Sequence, residues 1–161
     1  MKPEIGNHRL ASPLASPRVP PPASFSQRLS STRRGARLAR LLATQQLADW
    51  GWVRGSEPLD SADLVVGELA ANAVTHGLVP GRDFLLTMTF LPLPKGGSST
   101  LRVEVADCRG ERLPAPEAAP SPTSEHGRGL LLVSALATRW GVTPRFPSGK
   151  TVWAELPGPP G

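Results

Sequence analysis

The chain has 161 residues, a formal net charge of +5 and 39% hydrophobic residues, with aromatics at 5% and no Tyr. That length allows one domain with a single core and excludes two, and the core must be built mainly from Leu, Val and Ala. Residues 1–50 hold eight Lys/Arg against Glu4 and Asp49, whereas residues 51–161 hold ten basic against eleven acidic residues, so the basic excess is a property of the N-terminal third and argues only weakly for nucleic-acid binding.

Residues 1–24 contain six Pro and show neither helical nor strand period, as expected of a disordered tail. From Ser31, Ala36, Leu38, Leu41, Leu42, Ala43 and Leu47 recur at helical spacing to Trp50, opposed by Arg33, Arg37 and Arg40. A second helix is expected from about Asp60 or Ser61 to Gly77, a residue suited to a helix end. Phe84–Phe90 and Leu101–Asp107 alternate as strands around the turn Lys95-Gly96-Gly97-Ser98, which predicts a hairpin. Residues 110–126 read as a loop, Gly129–Thr138 as a buried helix, and Val142–Phe146 with Thr151–Leu156 as a second hairpin. This order predicts an α+β two-layer sandwich, a mostly antiparallel sheet with helices on one face. The domain is placed at 29–157, between an N-terminal tail (1–28) and a short C-terminal one (158–161).

Cys108 is the sole cysteine, so no intramolecular disulfide forms and a reducing compartment is the simplest setting. No apolar run approaches the ~20 residues that span a bilayer, and the N-terminus lacks a signal-like apolar region. The chain reads as cytoplasmic, with no membrane partner.

The second helix carries the chemistry. Glu68, Asn72 and His76 fall at i, i+4 and i+8 and share one stripe. A carboxylate and a carboxamide one turn apart can offer oxygens to Mg²⁺, which takes few protein ligands and keeps several waters. A polar outer face would give the same spacing, but neither Lys nor Arg occurs between Arg54 and Arg82. Asp107 shares the parity of Val103 and Val105 and points to the core at its strand's end, as an acceptor for a ligand amino group or as a solvated turn residue. Gly127-Arg128-Gly129 precedes the apolar helix, where backbone N–H groups can meet an anion. Gly149-Lys150-Thr151 is not the end of a P-loop, because Pro144 stands where that motif needs Gly; it reads as a hairpin turn.

Glu68-Leu69-x-x-Asn72-Ala73-x-x-His76-Gly77, then Asp107, a loop, Gly127-x-Gly129 and Thr151 resemble in that order the Bergerat-fold ATP-binding domains of gyrase, heat-shock chaperones, histidine kinases and mismatch-repair proteins. Among these the chain is similar to the anti-sigma-factor serine/threonine kinases. The resemblance implies that ATP binds with Mg²⁺ held by Asn72, and that Glu68 acts as general base or polarises the attacking group. It further implies that Asp107 accepts the adenine amino group with support from Thr151, and that Gly127, Arg128 and Gly129 close over the triphosphate. Residues 110–126 would be the ATP lid, and His76 would pack beneath the site. The implied partners are a sigma factor and a small antagonist protein that the kinase phosphorylates; a homodimer is compatible with it. The competing reading is a non-enzymatic regulator in which ATP only sets partner choice. Two departures stand out: Asp107-Cys108-Arg109 puts Gly110 one place late, and Glu125-His126 stand where kinase relatives often carry a basic residue.

Overall fold

In the computed structural model residues 22–76, 82–93, 97–107, 125–145 and 149–160 are described, with backbone alone for His76 and residues 125–128. Five strands form one sheet in the order β1-β2-β3-β5-β4, with every neighbouring pair antiparallel. The strands are β1 (Ala23–Ser30), β2 (Asp83–Leu91), β3 (Ser98–Asp107), β4 (Arg139–Pro144) and β5 (Lys150–Pro160). The helices among the described residues are α1 (Arg33–Asp49), α2 (Glu57–His76) and α3 (Glu125–Leu136). The expected two-layer α+β architecture is the one observed.

Alternation along the strands builds the core. Phe84, Leu86 and Met88 of β2, Leu101, Val103 and Val105 of β3, and Val152, Ala154 and Leu156 of β5 are all buried on one face. The helices cover that face, with α2 in the middle touching α1, α3, β2, β3 and β5. Leu59, Ala62, Val65, Val66, Leu69, Ala70, Ala73 and Val74 of α2 are buried, a hydrophobic surface wide enough to leave only a narrow polar stripe. On the inner side of α1, Ala39, Ala43 and Leu47 recur every four residues and are fully buried. On the outside of that contact Arg40 reaches Asp63 through two hydrogen bonds, 3.0 and 2.7 Å. Asp63 is the main cause that raises the Arg40 pKa, and the charge of Glu68 adds to it.

The other face of the sheet is polar. Arg102 pairs with Glu104 and Glu155 at 3.2 and 2.9 Å, and its guanidinium lies 4.3 Å from the centre of the Trp153 ring. The hydrogen bond from Arg139, with help from Arg102, holds the Glu155 carboxyl below its ordinary range.

Several element bounds differ from expectation. Residues 23–28, assigned to the tail, form most of β1, an edge strand running antiparallel to β2 from Ala23↔Phe90 to Ser30↔Asp83. β5 runs on to Pro160, so residues 158–160 are not a tail. α2 starts at Glu57, a turn before Asp60, because Pro58 lies in the first turn, where its missing N–H costs nothing. α3 starts at Glu125, so Glu125 and His126 belong to a helix and not to the loop. Gly77, Gly110 and most of the expected lid lie outside the described residues, as do Lys95, Gly96 and Phe146.

Leu86 is fully buried at the centre of the β2 core face. Leu86→Ala should lower the unfolding free energy by about 2–5 kcal/mol, read as a lower urea midpoint with an unchanged slope.

Candidate nucleotide site

Two pairs of residues define the site. The first is Glu68 with Gly129. A Cβ built at Gly129 would meet Oε2 of Glu68, so the start of α3 lies directly beside this carboxylate. Glu68 also borders a groove of about 480 Å³ between α1 and α2, lined by Arg33, Arg37, Arg40, Gly67 and Thr75 among others. The carboxylate thus lies between the first turns of α3 and an arginine-rimmed opening.

One turn along α2, Asn72 is the clearest anomaly of the fold. Both Nδ2 and Oδ1 of its side chain are buried, and neither has a hydrogen-bond partner among the described residues. An unsatisfied buried polar group costs about 1–3 kcal/mol, and a natural core seldom keeps one without a use. A carboxamide oxygen can in general ligate a hard cation or accept a hydrogen bond from water.

The second pair is Asp107 with Lys150. Asp107 ends β3, Lys150 opens β5, and the two are register partners. Their Oδ2 and Nζ are 3.0 Å apart, with side chains only 3% and 1% exposed. Asp107 therefore points inward as its parity requires. Lys150 follows the same parity as Val152, Ala154 and Leu156, directly after Gly149, whose φ is +100°. Reading Gly149-Lys150-Thr151 only as a turn hid this: Lys150 is a core-facing strand residue, and the alternation of β5 carried back two places from Val152 would have found it. Thr151, expected to support Asp107, alternates to the polar face with Trp153 and Glu155; Lys150 holds the place beside Asp107 instead.

Gly127, Arg128 and Gly129 fall inside the first turns of α3 and not before it. The side chains of Arg128 and His76 lie outside the described residues. α2 is the element that touches both halves of the site, packing on α3 and against β3 and β5. Among the described residues no three His, Cys, Asp or Glu side chains cluster as metal ligands, so a cation at Asn72 would take most of its shell from phosphate and water.

The profile of the histidine kinase-like ATPase domain matches residues 29–156. The chain belongs to this ATPase family. A solved structure, "The crystal structure of the RsbU and RsbW domains of Rv1364c from Mycobacterium tuberculosis", is similar to it, with a TM-score of 0.56 and 19% identity. The match covers 86% of this chain and 33% of that one, so the chain spans about a third of that protein. No curated protein matches the sequence. The histidine kinase-like ATPase domain has the Bergerat fold that the sequence order implied, and membership in it assigns ATP as the nucleotide. Among the described residues no helix is long and apolar enough to cross a membrane.

In an ATPase of this family the orphaned carboxamide has a direct consequence for stability. Asn72→Leu, which replaces two unsatisfied atoms by methyl groups of similar volume, should raise the nucleotide-free melting temperature. A gain of about 1–3 kcal/mol is expected, and a loss of stability in thermal melts would show that Asn72 is satisfied within the fold.

Proposed function

We propose that the chain is an ATP-dependent serine/threonine protein kinase of the anti-sigma type, working in the cytoplasm. It would bind a sigma factor and phosphorylate the small antagonist protein that competes for it. The observation that carries the enzymatic reading is the position of Glu68. Its carboxylate borders both the glycine at the start of α3 and the groove that opens between α1 and α2.

ATP would lie against the C-terminal half of α2, with its base at Asp107 and its phosphates toward α3. Gly127, Arg128 and Gly129 would contact the triphosphate, the glycines through backbone N–H groups at the positive end of the helix. Asn72 would hold Mg²⁺, which supplies charge neutralisation on the phosphates. Glu68 accepts the proton of the substrate hydroxyl as that oxygen forms its bond to the γ-phosphorus. The bond from that phosphorus to the bridging oxygen breaks, and ADP leaves with the electron pair. Arg33, Arg37 and Arg40 rim the groove beside Glu68, which suits an acceptor protein with an acidic surface around its hydroxyl. The folded unit is assigned to residues 23–160, with residues 1–22 as an N-terminal extension.

The family match and the likeness to a structure containing an RsbW domain support an ATP-using regulatory role. The second reading, a non-enzymatic regulator, keeps the ATP site and leaves Glu68 without a chemical task. Incubation with γ-labelled ATP and antagonist candidates encoded nearby separates the two. Wild type should transfer label to a Ser or Thr of one of them, and Glu68→Gln should slow transfer about 100-fold or more while still binding ATP. ATP binding without transfer by wild type to any candidate would reject the kinase in favour of the regulator.

A further inference from the structure

The end of the sheet away from Asp107 and Lys150 carries an aromatic cleft. Asp107 closes β3 and Lys150 opens β5, whereas the cleft is bordered by the other end of each strand. It has a volume of about 260 Å³, and its walls include Trp50, Trp52, Phe90, Leu93, Pro159 and Pro160. It shares no residue with the groove beside Glu68. Trp50 stacks on Phe90 with ring centres 6.2 Å apart, and Trp52 meets the same ring edge-on at 5.4 Å. The three rings brace one another, and Leu93 beside them remains exposed. A concave wall of rings and prolines suits an apolar ligand that can lay rings of its own against it.

The chain brings such a ligand to this corner itself. β1 begins at Ala23, directly opposite Phe90. Ala23 shares the parity of Phe25 and Leu29, which pack toward the helix layer where the cleft lies. Paired Cα atoms of antiparallel strands are about 4.5–5.5 Å apart, so the chain that enters β1 starts beside the cleft wall, and Pro22 is exposed there. Residues 13–21, outside the described structure, read Pro-Leu-Ala-Ser-Pro-Arg-Val-Pro-Pro. Pro17 and Pro20 are three apart, which puts both rings along one edge of a polyproline helix with three residues per turn. Aromatic-lined grooves are a recurring receptor for that spacing. Proline also presets φ, so little freedom is lost on docking. Pro20 lies three residues before Ala23, a reach of about 10 Å. We propose that this cleft is the docking site of the chain's own proline-rich segment, residues 13–21, bound as an extended polyproline helix. A short tether sets an effective concentration on the order of mM, so ring stacking too weak to hold a free peptide suffices within one molecule.

Isotope-labelled full chain is compared by NMR with a variant carrying Pro13→Ser, Pro17→Ser, Pro20→Ser and Pro21→Ser, all of them before β1. Wild type should show NOE contacts from proline ring protons of the segment to Trp50, Trp52 or Phe90. The indole N–H resonances of Trp50 and Trp52 should shift in the variant, and that of Trp153, on the opposite face of the sheet, should not. A synthetic peptide of residues 11–22 should reverse those shifts in the variant. It should bind wild type at least about tenfold more weakly, because the tethered segment competes. Absence of the NOE contacts, with unchanged indole resonances in the variant, would overturn the proposal. Equal peptide affinity for the two proteins would overturn it too. Contacts that fade when wild type is diluted would place the segment in the cleft of a second copy and reject docking within one molecule. Should the variant fail to fold, the wild-type contacts and their response to dilution decide alone.

Discussion

Helix α2 is enclosed on three sides: by α1 through Ala39, Ala43 and the Arg40–Asp63 bridge, by α3 at Gly129, and by the sheet beneath. Glu57, Asp60 and Thr75 on its outer side are exposed, whereas Glu68 and Asn72 are half-buried at the edge of the enclosure. Glu68 is pressed against the backbone of α3, and Asn72 has its amide buried without a partner among the described residues. The rest of the site is arranged around this enclosure, since every element that carries a site residue packs on α2.

The two halves of the site treat polarity differently. At Asn72 a neutral group is left unsatisfied, a modest penalty that binding can recover. At Asp107 a full charge is buried, and the protein supplies a counter-charge in Lys150. An uncompensated carboxylate there would be far more costly than an idle carboxamide, which accounts for a built-in partner at one place and none at the other. The candidate site is thus left unsatisfied at Asn72 and electrostatically complete at Asp107 and Lys150.

The positions of Glu68, Asn72 and Asp107 in the fold were legible in the sequence because strong periodicities set them. The four-residue spacing of Glu68 and Asn72 lay in a segment free of Lys and Arg, and the parity of Asp107 was set by Val103 and Val105. β1 was missed because the tripeptide Pro20-Pro21-Pro22 leads into it and because its alternation is broken by Gln27, so that among its residues only Leu29 is buried. Edge strands need only one good neighbour, and here β2 supplies the register. Lys150 was missed for another reason: a lysine after a glycine normally signals a solvated turn. Its burial depends on Asp107, 43 positions earlier, and no local pattern reports a partner at that distance. Thr151 stands one residue beyond Lys150, and a single step along a strand moves the side chain to the opposite face.

Asn72 is the proposed ligand-holding group of the ATP site. Isothermal titration of wild type and Asn72→Ala with Mg-ATP tests this most directly. Saturable binding by wild type is expected, with at least a tenfold loss in the variant at unchanged secondary structure, as for removal of roughly 1.4 kcal/mol or more of binding energy. Equal affinity in the two proteins would contradict it.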